Sequence, residues 1–142
     1  MPTRKAAAEW TGDLKSGKGQ MEFGSGAFKG EYSFNSRMET GPGTNPEELV
    51  AAAHAGCYSM ALTGDLGRAG FAPTKVSTNA TLEFSNTSGK WAIDKIDLNV
   101  EASVPGIDDA KFQEIAAGTK LNCPVSRALT GVAQINVNAK LV

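Results

Sequence analysis

The chain of 142 residues contains one histidine and two cysteines. With a single histidine, cysteine and histidine alone cannot fill a closed structural zinc site. The cysteines, Cys57 and Cys123, are too far apart in sequence to form a Cys-x-x-Cys redox motif or a zinc knuckle. A charge excess is also missing. The formal net charge of -1 and pI near 5.8 leave no basic footprint for nucleic acid or an anionic membrane surface. Long hydrophobic runs are absent as well. The longest uncharged stretch, Leu49 to Gly64, is broken by His54, Ser59 and Thr63 and falls short of the roughly 20 apolar residues of a membrane span. Met1 to Trp10 carries Arg4 and Lys5 with no apolar segment behind them, so no secretory signal is expected. These absences point to a cytoplasmic protein with no metal and no cofactor, in which a static structural disulfide is not expected.

A hydrophobic content of 41% and a charged content of 20% are ordinary for a globular protein. The length suits one domain covering residues 1–142, with a single core.

The stretch from Thr44 to Leu62 organises the rest. Asn45 is placed to cap a helix, Pro46 takes the first helical position, and Glu48 completes an Asn-x-x-Glu capping box. The helix should run to about Leu66, where Gly67 or Gly70 stops it and Phe71-Ala72-Pro73 prevents continuation. Ala51, Ala52, Ala53, Ala55 and Gly56 give it a small-residue surface that another backbone can approach closely, including a second copy of itself.

Before this helix, Ala8–Gly12, Gln20–Phe23 and Ala27–Phe34 read as three antiparallel strands. Phe28, Tyr32 and Phe34 share a face of the third. Asn35 to Gly43 reads as a loop, with Arg37 at its start. After the helix, Lys75–Phe84 and Trp91–Val104 alternate and should pair as a hairpin. Trp91 and Ile93 are out of phase with Ile96, Leu98, Val100 and Ala102, which calls for a bulge near Asp94-Lys95. Asp108 caps a helix to about Lys120, with Phe112, Ile115 and Ala116 on its apolar face. Pro124 opens a short helix with Cys123 at its cap, and Gln134–Leu141 is an alternating last strand. The order is β-β-β-α-β-β-α-α-β, an α+β fold with a long central helix.

The two thiols differ in local physics. Cys123 sits at a helix N-terminus, where free N–H groups favour an anion, and should be the more acidic. Cys57 lies several turns inside its helix and needs a cation from elsewhere to become a thiolate. At about 100° per residue, His54 is about 60° from Cys57, Glu47 about 80° and Glu48 opposite. Glu47 is thus the better-placed glutamate, although roughly 15 Å along the axis separates it from Cys57, so it must bend back or act from another subunit. His54 reads as a buried or interface histidine rather than a base. Tyr58, Met60 and Phe112 could line an apolar entrance but read more simply as core.

Thr44-Asn-Pro-Glu-Glu-Leu followed by Ala-Ala-Ala-His-Ala-Gly-Cys57-Tyr-Ser-Met-Ala-Leu62 resembles the peroxidatic-helix motif of the OsmC/Ohr family, in its OsmC branch. Tyr32-Ser-Phe-Asn-Ser-Arg37, Val104-Pro-Gly-Ile107 and Cys123-Pro-Val-Ser126 add matches in the family's order along nearly the whole chain. The resemblance implies a thiol-dependent peroxidase that reduces organic hydroperoxides, and hydrogen peroxide more weakly, in oxidative and osmotic stress. It implies that Cys57 is peroxidatic, that Cys123 resolves it as a disulfide, and that Arg37 and Glu47 activate Cys57. It also implies an intertwined homodimer and a dithiol reductant of the lipoyl type. The alternatives are a non-catalytic small-ligand-binding stress protein on the same fold and a thiol–disulfide oxidoreductase acting on proteins. The second is weakened by the missing Cys-x-x-Cys.

Overall fold

A computed structural model describes residues 1–142. Ten elements follow in the order β1 (Ala6–Thr11), β2 (Lys18–Phe23), β3 (Lys29–Tyr32), α1 (Phe34–Met38), α2 (Pro46–Arg68), β4 (Lys75–Ser85), β5 (Ala92–Ser103), α3 (Asp109–Asn122), α4 (Pro124–Ala128) and β6 (Gln134–Leu141). They divide into two compact units, Met1–Leu49 and Val50–Val142.

The first unit is an antiparallel meander, β1-β2-β3, followed by α1 and the first turn of α2. Trp10 packs on Tyr32 with ring centroids 5.4 Å apart, and Phe23 on Phe28 at 4.9 Å. The expected third strand is shorter than its alternation suggests, because Ser33 leaves it. Its side chain accepts from Ser36 N–H (3.1 Å) and the Ser36 hydroxyl accepts from Ser33 N–H (2.9 Å). That reciprocal cap starts a helical turn at Phe34, so the segment from Asn35 read as loop is instead helical through Met38, and Arg37 lies on α1. Past Met38 the chain turns back over β3. Gly43 makes this possible with φ 110° and a Cβ-free approach to the Glu31 carbonyl, after which Thr44 N–H bonds Glu31 O at 2.9 Å.

The second unit holds the hydrophobic core. Its sheet has the order β4-β5-β6, antiparallel between β4 and β5 and parallel between β5 and β6. β5 is central, which is why Ile96, Leu98, Val100 and Ala102 are all essentially inaccessible. The expected bulge is present. Glu83 pairs with Lys95 and Phe84 with Ile93, leaving Asp94 as the extra residue and shifting Ile93 into the other phase. α2 lays His54, Tyr58, Leu62 and Leu66, spaced by four, into this core, and α3 contributes Phe112 and Ala116. Each fully buried Leu or Phe contributes about 2 kcal/mol from the apolar area it removes from water. Polar ties set the position of the helices: Tyr58 OH donates to Ala116 O (2.8 Å), Ser59 to Thr78 (2.7 Å) and Thr119 to Asp65 (2.6 Å). α2 ends as expected at a glycine, Gly70, with φ 90°, and Phe71 N–H closes onto Leu66 O at 2.9 Å.

Candidate active site

The four residues singled out from the sequence come together as two pairs. One pair is in the first unit. Ser36 donates to Thr44 O (2.7 Å), and Asn45 donates to Ser36 O (3.0 Å) while its side-chain oxygen caps Glu48 N–H (2.7 Å). These bonds tie α1 to the first turn of α2 and set Arg37 against Glu47. Nη2 reaches Oε1 at 2.7 Å, and Nε lies 3.2 Å from both carboxylate oxygens. The hydrogen bond to Glu47, with that carboxylate's charge adding to it, holds the guanidinium above its ordinary pKa against the opposing effect of burial. The Arg37 side chain keeps 38% of its surface exposed and Glu47 only 12%, so the pair presents a cation held from behind by its carboxylate. Glu48 departs from its expected part in the capping box. Its carboxylate accepts from the Thr44 hydroxyl at 2.8 Å, one residue before the cap.

The second pair lies in the second unit. α2 carries Cys57 and the junction of α3 and α4 carries Cys123, and their sulfurs are 3.2 Å apart. Both are free thiols. A disulfide bond is about 2 Å long, so the two need only roughly 1 Å of approach to join. They differ in access, because Cys57 is half-buried and Cys123 has no exposed surface.

They differ in acidity too. Burial pushes Cys57 up, and the hydrogen bond and charge of Cys123 add to this against a lowering by the Val125 N–H. Burial also pushes Cys123 up. There it is outweighed by hydrogen bonds from the Ser126 N–H and hydroxyl, from Cys57 and from the Val125 N–H, so the net shift is downward. The expected order of acidity holds, with a sharper cause. α4 is only five residues long and carries little macrodipole, so its amides at Val125 and Ser126 lower the pKa as individual donors.

Sequence reasoning did not single out Ser126 as a functional residue. Its signal was the three-residue spacing after Cys123, which puts it at the third position of α4 with hydroxyl and amide near the cap. Its hydroxyl also lies 2.7 Å from Nε2 of His54, which is fully buried as expected. Burial keeps that imidazole below its ordinary pKa. Of the residues considered for an apolar entrance, Tyr58 and Phe112 are core, and Met60 is 81% exposed on α2.

The family model for OsmC-like proteins matches residues 39–138, a span that includes Glu47, His54, Cys57, Cys123 and Ser126 and begins just after Arg37. The chain is 45% identical to peroxiredoxin OsmC of Escherichia coli over 139 residues, 97% of this chain and 96% of that protein. It is 32% identical over 92 residues to an organic hydroperoxide resistance protein of Xanthomonas axonopodis, 64% of this chain and 63% of the relative. In fold it is similar to the OsmC-like protein of Mycoplasma pneumoniae, with TM-score 0.77, 20% identity and coverage of 99% and 98%. It is also similar to OhrB of Bacillus subtilis, with TM-score 0.64, 22% identity and coverage of 97% and 98%. The long capped helix carrying Cys57, the paired thiols and this agreement along nearly the full length lead to one conclusion: the chain belongs to the OsmC family.

Proposed function

We propose that this protein is a thiol-dependent peroxidase that reduces organic hydroperoxides, with Cys57 as the peroxidatic and Cys123 as the resolving cysteine, all within one domain. The observation that carries the reading is the pair of free sulfurs 3.2 Å apart, one accessible and one buried. A peroxide can reach Cys57 and not Cys123, and the second thiol waits within bonding reach of the first. Membership of a family that includes proteins named peroxiredoxin OsmC and organic hydroperoxide resistance protein supports the same activity.

The thiolate of Cys57 attacks the terminal oxygen of R–O–O–H. The O–O bond breaks, the alkoxide takes a proton and leaves as the alcohol, and Cys57 becomes a sulfenic acid. The sulfur of Cys123 then attacks the Cys57 sulfur. The S–O bond breaks and hydroxide leaves, combining with the proton shed by Cys123 as water, and a Cys57–Cys123 disulfide remains. An external dithiol, of the lipoyl type in this reading, returns both to thiols by exchange.

Because burial raises the Cys57 pKa, the first step needs a cation. Arg37, held by Glu47 from its own or a partner subunit's chain, fills that part and donates to the peroxide. The proposed assembly is a homodimer. Ala52, Ala53, Gly56, Met60, Thr63 and Gly67 form an exposed, uncharged strip along α2, opposite the face buried in the core. A second copy of this helix suits such a strip, since small residues let two backbones come close.

Mixing reduced protein with cumene hydroperoxide tests the reading. Peroxide should be consumed with formation of an intramolecular Cys57–Cys123 disulfide, read by mass spectrometry. Cys57→Ser should abolish consumption, and Cys123→Ser should stop after a single turnover with a dimedone-reactive sulfenic acid on Cys57. Sulfenic acid on Cys123 would reverse the roles, and no consumption by the unsubstituted protein would end the proposal.

A further inference from the structure

His54 is the chain's one histidine, it is completely buried, and the reaction above makes no use of it. Its Nε2 is 2.7 Å from the Ser126 hydroxyl, and Ser126 stands at the third position of the short helix that Cys123 caps, where it draws the Cys123 thiol toward its anion. Nδ1 has no partner. Two proton arrangements fit this chain of three groups. In one, Cys123 donates to Ser126, Ser126 donates to Nε2, and the proton of neutral His54 sits on Nδ1 as a buried, unbonded N–H. In the other, Nε2–H donates to Ser126, Ser126 donates to the sulfur, and Nδ1 is a bare lone pair. Orphaned buried N–H groups are rare and costly, while an unused acceptor is tolerated more readily. The second arrangement is favoured, and it suits a thiolate at Cys123.

We propose that His54 is a positioning residue for the resolving step, its Nε2–H orienting the Ser126 hydroxyl as a permanent donor to the sulfur of Cys123. The imidazole stays neutral throughout and moves no proton. Its effect is to leave the single hydroxyl hydrogen of Ser126 for the sulfur, because a protonated Nε2 offers that hydrogen no acceptor. This stabilises Cys123 as the attacking thiolate when it meets the sulfenic acid. It stabilises the same thiolate again as leaving group when a dithiol attacks Cys57 and the disulfide opens. The ionisable groups that act on this sulfur from the facing helix are Cys57 and Tyr58. Tyr58 is pushed far above its ordinary pKa by burial and remains a neutral phenol.

The inference rests on Cys123 being the resolving thiol, and the test separates the two claims. In a Cys57→Ser background, the Cys123 thiolate is titrated by its absorbance near 240 nm. His54→Leu should move the midpoint up by about one pH unit, a tenfold loss of thiolate at a given pH. Ser126→Ala should do the same. His54→Gln, which keeps an N–H donor, should restore most of the shift, with thermal melts establishing that each variant is folded. In the otherwise unsubstituted protein, His54→Leu should also let dimedone-reactive sulfenic acid accumulate on Cys57 before the disulfide forms. An unchanged midpoint in folded His54→Leu and Ser126→Ala overturns the positioning role, whatever the peroxidase assay gives. A shifted midpoint with no sulfenic acid on Cys57 in Cys123→Ser overturns the assignment of roles while leaving the hydrogen-bond chain standing.

Discussion

At the scale of single residues, the two sulfurs illustrate how a buried thiol is set by its nearest donors. Both cysteines lose hydration, and burial is the largest influence on each. Cys123 is compensated by the amides and hydroxyl of its own short helix, whereas Cys57 has the Val125 N–H working against both burial and the Cys123 sulfur. The proposed division of labour follows from access combined with a cation, because acidity by itself would select Cys123. In the proposed mechanism Arg37 supplies the difference. An opposite charge within about 4–6 Å lowers a pKa by about 1–3 units, so Arg37→Ala should raise the Cys57 titration midpoint by at least one unit and slow peroxide consumption at neutral pH about tenfold. Titration of Cys57 in a Cys123→Ser background measures this directly, and an unmoved midpoint removes Arg37 from the site. Lysine is a poor substitute, since the three Arg37–Glu47 contacts use the planar fork of a guanidinium.

At the scale of elements, α1 and the first turn of α2 form one hydrogen-bonded corner that has to be correct for Arg37 to face Glu47. Asn45 joins its two sides, accepting from Glu48 N–H and donating to Ser36 O. Asn45→Ala loses both bonds and should lower stability by about 1 kcal/mol, the usual cost of a lost N-cap. Asn45→Asp keeps the cap acceptor and gives up the donor to Ser36. In urea denaturation its midpoint should fall between those of the native protein and Asn45→Ala; equal midpoints for the two variants would show that the cap bond contributes nothing. The start and stop of α2 were both legible in the sequence, because caps, an N1 proline and a glycine stop are local chemistry. α1 was not. Its cap is a Ser33–Ser36 exchange inside a run that also alternates as a strand, and the Gly41-Pro42-Gly43 turn just after it draws the whole segment toward a loop reading. The Asp94 bulge was legible because an extra residue shifts the hydrophobic phase whatever the partner strand is.

At the scale of the whole molecule, the open question is what covers the outer side of α2. Of this helix, His54, Tyr58, Leu62 and Leu66 are buried in the core, while the strip through Gly56 and Met60 is exposed. A Cβ at Gly56 would meet nothing within 4 Å, so the small residue there is not demanded by packing within the chain. The proposed homodimer accounts for it. Sedimentation equilibrium should find a dimer at micromolar concentration, and Met60→Glu, which puts a charge in the middle of the strip, should raise its dissociation constant at least a hundredfold. The penalty for desolvating an unpaired charge, several kcal/mol, is the source of that estimate. A native protein that is monomeric at those concentrations would leave the strip unexplained and the dimer untenable.

The sequence alone determined the α+β class, the limits of the long helix, the alternating faces of β4 and β5, and the two thiols as the unusual chemistry of the chain. Those properties are local. They follow from residue periodicity, caps and turn residues, which act over a few positions and leave their mark within the same few positions. The tertiary structure decided what depends on distance. It brought Cys57 to 3.2 Å from Cys123, paired β6 parallel with β5, and tied His54 to Ser126 across 72 positions of sequence. No periodicity records such contacts. A hydrogen bond or sulfur contact between remote segments exists only after the core has packed, and it is those contacts that set which thiol is acidic and which is reachable.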